Sequence, residues 1–257
     1  MRESFSISGM KGLFLFPLRG KEWGRKLLYL GLFWLAGGLV PVIPWLFAGG
    51  YFAVVVRNVV RDEGEKIPEW QDWNRFIVDG IRLLGAGLIF FLPLGLFFST
   101  AFSLYFGTSI AGIALARGGK EIASLLTSFG GLLFYGWCLT VGMLLSLLLG
   151  LVAWPAITYM ILEERFSALF EVKAWWKIVR ANPGGYLIAM FLFWGVIIAF
   201  QVISQWFFFT VVLCVFLPVI YAVAMPYLTL ITAGLVGQVY RESLEALGKT
   251  VSSGMEV

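Results

Sequence analysis

The sequence predicts an all-α fold: a polytopic transmembrane bundle of about six membrane helices with interfacial amphipathic helices. Of its 257 residues, 60% are hydrophobic and 13% are charged. Four long runs contain no Lys, Arg, Asp or Glu: residues 27–56, 83–116, 122–162 and 181–240. About 20 apolar residues cross the hydrocarbon core as a helix. The runs lack the apolar–polar alternation of membrane barrel strands, so we expect the spans to be helices.

Composition further predicts a single integral membrane domain over residues 1–257. The longest charge-bearing segments are residues 1–26, 57–82 and 163–185, and each is too short to bury a core of its own. The first of these shows no cleavable signal-peptide pattern. The net charge of +4 resides in segments that flank the spans, which indicates membrane topology rather than nucleic-acid binding.

The first apolar run predicts a helical hairpin. A single helix over residues 27–60 would be roughly 50 Å long, against a hydrocarbon core of about 30 Å. Residues 37–44 contain two glycines and two prolines, which interrupt a helix. We therefore expect one helix from about Gly24 to Leu39 and a second from about Trp45 to Val60. The alternative is one long, kinked and tilted span.

Charge asymmetry supports the hairpin. We expect four further spans, at residues 83–105, 131–162 (bent at Pro155), 186–205 and 206–237. With the hairpin included, 17 of the 19 basic residues fall on one side of the membrane, and only Arg117 and Lys120 fall on the other. The positive-inside rule then predicts a multi-pass cell-membrane protein with both termini in the cytoplasm. Residues 106–130 are expected to form the main external loop.

Residues 164–181 predict an amphipathic helix in the membrane interface. Its apolar stripe is Ala168, Val172, Trp175, Trp176 and Val179. Its basic row, Lys173, Lys177 and Arg180, provides candidate contacts to anionic lipid, and the same residues would also retain this segment on the positive side of the membrane. The sequence from Asn182 to Gly185 is expected to end the helix.

A second interfacial segment contains the sequence Ile-Pro-Glu-Trp-Gln-Asp-Trp at positions 67–73. Trp70 and Trp73 are three residues apart, so on a helical turn they share a face, and indoles favour headgroup depth. One interpretation is that the loop is a structural anchor that fixes the bend between two helices. A second is that it forms a docking or lipid-headgroup site. A role in acid–base chemistry is the weakest of the three interpretations. The candidate residues are Arg57, Arg61, Pro68, Glu69, Trp70, Asp72, Trp73 and Asp79.

Ion pairing within this segment is also expected. Glu69 or Asp72 would pair with Arg57 or Arg61, because an unpaired carboxylate beside lipid is costly. Asp79 lies just before the start of the next span, where a charged side chain must either have a partner or extend to the water interface. We expect it, too, to pair with one of these arginines.

The same stretch resembles the domain-of-unknown-function 4013 family of integral membrane proteins. The resemblance rests on Gly50-Tyr51, Arg57, Arg61, the 67–73 loop and Asp79-Gly80. Asn182-Pro183-Gly184 with Tyr186, and Gly237-Gln238 with Tyr240-Arg241, also fit. Ile67 and Gln71 depart mildly from the loop motif. The resemblance implies a fold family and no activity.

The chemistry-bearing residues favour a protein that is not an enzyme. Histidine is absent, and Cys138 and Cys214 fall inside spans as packing residues, so we expect no catalytic residue, metal or cofactor. The preferred function is a lipid- or partner-binding membrane bundle. Its partners would be membrane lipids and a protein at the cytoplasmic face, with no nucleic acid. The alternative is a transporter or permease for a small neutral or lipidic solute, which a water-filled cavity at mid-membrane would favour.

The predicted topology is testable by cysteine labelling from outside the cell. A thiol placed at Gly118 should react, while thiols at Ser4, Gly64 and Ser253 should not. Labelling at Ser4 without labelling at Gly64 would contradict the hairpin and leave five spans.

Overall fold

The computed structural model describes residues 12, 14–18, 22–40, 42–61, 68–70, 72–209 and 215–248, and within these ranges it contains helices and no strand. The all-α prediction is therefore confirmed. The α-helices are α1 (Trp23–Leu39), α2 (Ile43–Arg61), α3 (Trp73–Arg117), α4 (Glu121–Glu163), α5 (Val172–Ala181), α6 (Pro183–Phe209) and α7 (Leu217–Ala246).

Five of these helices are long and apolar enough to cross a membrane: α2, α3, α4, α6 and α7. The chain is thus a helical membrane protein. α1 has 17 residues, which gives about 26 Å of helix, a little less than the hydrocarbon thickness. Because α1 is this short, it is not among the five spans found by length, and it accounts for the difference from the predicted total of about six.

The predicted hairpin at the start of the chain is confirmed as two helices. α1 ends at Leu39, where the Val40 N–H bonds back to the Ala36 carbonyl. α2 begins at Ile43, with Pro44 in its first turn, where a missing N–H costs no helical hydrogen bond. The Trp45 indole occupies the space in which a side chain at Gly37 would lie. The Gly/Pro sequence therefore both breaks the helix and lets its two halves pack.

The expected external loop at residues 106–130 is wrong. α3 continues to Arg117 and α4 begins at Glu121, so only three residues connect them. Gly119 adopts φ 74°, a left-handed conformation that glycine enters without a Cβ penalty. The Lys120 N–H then reaches the Leu115 carbonyl at 3.0 Å and closes the end of α3. Because the apolar run contains no earlier stop signal, both helices extend to this turn.

The chain divides into two compact units: unit 1, residues 1–86 and 154–257, and unit 2, residues 87–153. α7 is the central helix of unit 1 and packs against α1, α2, α5 and α6. The backbones come close because of glycine: a side chain at Gly31 would overlap the Ala222 backbone, and one at Gly237 would overlap Val59. Gly237 is therefore a contact point between α7 and α2.

Unit 2 is an antiparallel pair of helical arms with a seam of small residues. Gly112 faces Ser128, Gly131 faces Thr108, and Tyr105 stacks on Tyr135 with ring centroids 5.1 Å apart. On α4 the seam positions 124, 128, 131, 135, 138 and 142 alternate spacings of four and three, the 3.5-residue repeat of a coiled coil. Cys138 lies in this seam and is buried, as expected for a packing residue; Cys214 lies outside the described residues.

Candidate functional site

The charged side chain of Arg57 in α2 is almost fully buried, with 2% of its surface exposed. Its Nη1 donates to Asp79 Oδ2 at 2.7 Å. Its Nε donates to the Ile161 carbonyl at 2.9 Å and lies 3.4 Å from Glu164 Oε1. One guanidinium therefore joins α2, the start of α3 and the end of α4.

Two outer arginines extend this arrangement into a chain of alternating charge. Arg82 Nη1 lies 3.0 Å from Asp79 Oδ1, and Arg75 Nη2 lies 2.7 Å from Glu164 Oε1. Asp79 is buried, whereas Arg82 and Arg75 are partly exposed. We call these five residues, Arg82, Asp79, Arg57, Glu164 and Arg75, the charge network. Each buried charge in it has a partner of opposite sign, as burial requires.

Local backbone features bring the charge network together. α2 and α3 approach closely because side chains at Gly50 and Gly80 would overlap the backbones of Phe76 and Leu46. This contact places Asp79 within reach of Arg57. Glu164 has φ 53°, a left-handed conformation that costs a non-glycine residue roughly 1–2 kcal/mol.

The predicted pairing of Asp79 with Arg57 is confirmed. The expectation that Glu69 or Asp72 would pair with Arg57 is wrong, because Asp79 and Glu164 supply the carboxylates that Arg57 contacts. The corresponding pairing of Glu69 or Asp72 with Arg61 stays a prediction. Glu164 and Arg75 were missed. A signal existed: Glu164 follows a 41-residue charge-free run directly after Glu163, where a carboxylate needs a cation nearby.

Trp70 forms the centre of an aromatic cluster beside the charge network. Its ring stacks on Tyr51 with centroids 4.3 Å apart and an interplanar angle of 6°, and on Phe33 at 5.2 Å. The Tyr51 hydroxyl donates to the Pro68 carbonyl at 2.8 Å, which ties the loop to α2. The loop therefore docks onto α1 and α2 through its first tryptophan.

Trp73 occupies the rim of the same cluster. It contacts Phe47 at 5.5 Å and Phe76 at 6.4 Å, yet 46% of its surface is exposed. Trp70 also contacts Phe76, at 5.4 Å. Both indoles thus contact Phe76 in the first turn of α3.

α5 has one side buried in unit 1 and one side turned outward. Trp175 and Ile178 are 4% and 7% exposed, and Trp175 Nε1 donates to the Leu169 carbonyl at 3.3 Å. Lys173, Lys177 and Arg180 are exposed. Arg180 lies over the ring of Trp176, 5.8 Å from its centroid. We call Lys173, Trp176, Lys177 and Arg180 the basic face.

The predicted apolar stripe of this segment needs correction. Val172 and Trp176 are 54% and 39% exposed, so they face outward with the basic residues. Ile178, which the predicted stripe omitted, is buried instead. The helix is also shorter than residues 164–181, because a 3₁₀ turn at Phe166–Phe170 precedes it. The changed start of the helix rotates its inward side toward Trp175 and Ile178.

Acidic residues near α5 are engaged with neighbouring groups. Arg165 pairs with Glu171 at 3.0 Å and with Glu163 at 3.3 Å, and these carboxylates, Glu171 foremost, raise the pKa of its guanidinium. The Tyr159 hydroxyl donates to Glu171 Oε2 at 3.2 Å. The α5 helix itself contains no acidic residue. Among the described residues, no carboxylate forms an ion pair with the three cations on its outward side.

Asn182 ends α5 and begins α6, as the Asn-Pro-Gly-Gly sequence predicts. Its Oδ1 accepts a hydrogen bond from the Gly185 N–H at 3.0 Å, and its Nδ2 lies 3.4 Å from Glu242 Oε2. The second contact joins this turn to the carboxyl-terminal part of α7. The start of α6 therefore lies beside the last turns of α7.

No three His, Cys, Asp or Glu residues within the described ranges form a group that could hold a metal ion. A small apolar cavity of about 20 Å³ lies between α6 and α7, which is space for about one water molecule. Phe14, Phe193 and Leu228 are among its lining residues.

The comparison with protein families matches residues 33–208 to a family described as "Protein of unknown function (DUF4013)". The chain belongs to this family. The match covers α2 to α5, with the last part of α1 and nearly all of α6, so it includes both the charge network and the basic face. Comparisons with curated proteins and with solved structures give no match. Membership in this family establishes kinship and no activity.

The aromatic cluster predicts unequal roles for the two loop tryptophans. Trp70→Ala should lower the free energy of unfolding by about 3 kcal/mol, because it removes a ring stacked between two others. Trp73→Ala should cost less than half as much, since nearly half of that side chain is exposed. Denaturant unfolding of both variants in one detergent measures the difference. A Trp70→Ala variant as stable as the parent would reject the anchor and favour a docking role for the loop.

Proposed function

We propose that this protein is a non-enzymatic, multi-pass membrane protein that binds anionic lipid headgroups through the basic face of α5. The observation that carries the proposal is the fixed orientation of this helix. Trp175 and Ile178 anchor it in unit 1, and the same anchoring turns Lys173, Lys177 and Arg180 outward. The cations are therefore held on a rigid support.

Charge complementarity supports an anionic lipid as the partner. The basic face has three cations, and its helix has no acidic residue to neutralise them. Basic residues near an anionic membrane surface contribute about 1 kcal/mol each. Trp176 adds an exposed indole, a group that favours headgroup depth, and its contact with Arg180 keeps a cation beside it. An anionic phospholipid surface satisfies both the charge and the aromatic ring.

Membrane geometry is consistent with this partner. α5 lies between α4 and α6, two helices long and apolar enough to cross a membrane. A ten-residue helix between two such spans lies close to the membrane surface because its connections are short. We place the protein in the cell membrane with this end, and both termini, in the cytoplasm, where anionic lipids and the positive-inside rule act together.

Transport of a small neutral or lipidic solute remains the alternative function. It would need a path for the solute between the helices. The cavity between α6 and α7 has an apolar lining and a volume of about 20 Å³, so it does not supply such a path. A protein partner on the basic face is a further alternative, and the lipid test below separates it from lipid binding.

Replacing Lys173, Lys177 and Arg180 together by Gln tests the proposal. The loss of three cations should weaken binding of phosphatidylglycerol by about 3 kcal/mol, or roughly 100-fold. Native mass spectrometry of the purified protein, titrated with phosphatidylglycerol and with phosphatidylcholine, measures both affinities. The neutral-headgroup lipid should bind the variant and the parent equally.

The control is the pair Arg117→Gln and Lys120→Gln, which removes basic residues at the turn between α3 and α4. This variant should keep the parent's affinity for phosphatidylglycerol. Unchanged affinity in the α5 variant, or an equal loss in the control, would reject the basic face as the lipid site.

A further inference from the structure

The turn between α1 and α2 exposes large apolar side chains. Residues 37–50 include no charged, hydroxyl or amide side chain. Five side chains here are about half exposed or more: Leu39 87%, Val40 54%, Val42 47%, Ile43 59% and Trp45 50%. We call these five the turn residues. If the turn emerged into water, they would form an apolar patch of a kind that soluble surfaces rarely carry.

The turn between α3 and α4 has the opposite composition. Residues 117–121 have the sequence Arg-Gly-Gly-Lys-Glu, so three of the five are charged. Gly119 supplies the positive φ that this turn requires. Such a sequence suits water or lipid headgroups, whereas the sequence of the α1–α2 turn suits hydrocarbon.

The backbone of Val42 supports the same distinction. Val42 adopts φ 79°, which is an outlier for a β-branched residue. Glycine or asparagine would adopt a positive φ at lower cost, and both are common in turns that face water. Valine at this position instead presents a half-exposed apolar side chain, which hydrocarbon stabilises.

The backbone of the turn also presents few free donors, as a lipid environment requires. Only residues 40–42 separate the two helices. The two prolines of the turn have no N–H. The Val40 N–H bonds to the Ala36 carbonyl at 2.7 Å, and the Leu46 N–H bonds to the Val42 carbonyl at 2.9 Å. Four of the seven residues from 40 to 46 therefore present no free N–H.

The hairpin is too short to bring this turn to the opposite surface of the membrane. Arg25 is exposed and pairs with Glu22, so the start of α1 lies in water or headgroups. From Arg25 to Leu39, α1 rises about 21 Å, and from Arg57 back to Ile43, α2 rises about as much. Because the hydrocarbon core is roughly 30 Å thick, the turn ends roughly 10 Å short of the far headgroups.

The lengths of the apolar runs agree with this depth. The charge-free parts of the two helices, residues 27–39 and 43–56, have 13 and 14 residues. Runs of about 10–14 apolar residues are typical of segments that enter a membrane and return, whereas a span needs about 20. α2 reaches the length of a span only with its last turns, from Arg57 to Arg61, which belong to the charged end.

We propose that α1 and α2 form a re-entrant hairpin, whose turn residues are surrounded by lipid acyl chains and do not reach the opposite surface. The partner is the apolar part of a lipid, so the proposal is independent of headgroup binding by α5. Both ends of the hairpin lie on one side of the membrane whether or not it crosses. Labelling of the termini therefore cannot separate the two arrangements, but the depth of the turn can.

Spin labelling measures that depth. A nitroxide is attached at Leu39→Cys in a background in which Cys138 and Cys214 are alanine, and the protein is reconstituted in phosphatidylcholine vesicles. Collisions with oxygen should be frequent, and collisions with a water-soluble nickel chelate should be rare. Calibration against spin-labelled lipids should place the label roughly 10 Å inside the far boundary of the hydrocarbon.

Leu144→Cys and Gly118→Cys provide matched controls. Leu144 is exposed near the middle of the charge-free run 122–162, so its label should give the same low nickel accessibility. The label at Gly118, in the charged turn, should collide with nickel freely. Nickel accessibility at Leu39 equal to that at Gly118, or a depth at the far headgroups, would overturn the proposal. Low accessibility to both reagents would overturn it too, because protein would then cover the turn.

Val42→Asn tests the surroundings of the turn through stability. Asparagine tolerates a positive φ better than valine does, so this variant should be at least as stable as the parent if the turn faces water. In hydrocarbon the amide loses its hydrogen bonds to water, so the melting temperature in vesicles should fall. Gly119→Asn, at the positive φ of the charged turn, should change it little. A Val42→Asn variant that melts at or above the parent's temperature would contradict the re-entrant hairpin.

Discussion

The guanidinium of Arg57 is the interaction on which the rest of unit 1 depends. It is almost fully buried, and it contacts Asp79, the Ile161 carbonyl and Glu164, which come from three different parts of the chain. A buried charge without partners costs several kcal/mol. The start of α3 and the end of α4 must therefore both be in place around α2. Because only residues 164–171 connect the end of α4 to α5, we expect the position of the basic face to depend on the same residue.

Glycine makes this arrangement sterically accessible. Gly50 and Gly80 let α2 and α3 approach, and Gly237 lets α7 approach α2. The aromatic cluster around Trp70 then covers the loop side of α2 and binds Pro68 through Tyr51. Unit 1 thus combines a close-packed helical core with a charged end whose ion pairs fix the loops. A charged surface on such a rigid support is suited to binding, since little conformational entropy is lost when a ligand arrives.

Much of the fold could be predicted from the sequence, because charge-free runs and Gly/Pro breaks act locally. The hairpin of α1 and α2 and the stop at Asn182 followed from such signals. The loop at residues 106–130 was predicted wrongly because the run there is longer than one span, and length alone does not show whether a helix ends. The repeat of small residues from Ser124 to Gly142 was visible in the sequence and predicts the paired arms that the structure shows.

The candidate site was less predictable, because its contacts join distant positions. The sequence limited the partner of Asp79 to Arg57 or Arg61, because all three lie near ends of neighbouring spans. Glu164 contacts Arg57 across more than a hundred residues, and only tertiary packing selects it over the nearer Glu69 and Asp72. On α5, Ile178 lies on the buried side, where the sequence predicted Trp176, because the helix starts at a later residue than predicted. Such a rotation follows from the 3₁₀ turn at Phe166–Phe170 and not from the periodicity of the helix itself.

Hydrogen–deuterium exchange of an Arg57→Met variant tests most directly whether this one side chain organises unit 1. Methionine keeps an unbranched apolar stem but leaves Asp79 and Glu164 without their shared cation. Amide exchange should accelerate together at the start of α3, at residues 164–171 and in α5, while the tip of unit 2 keeps the parent's rates. Arg165→Met, which removes a half-exposed arginine, should change exchange only beside itself. Acceleration confined to α2 in the Arg57 variant would contradict the account.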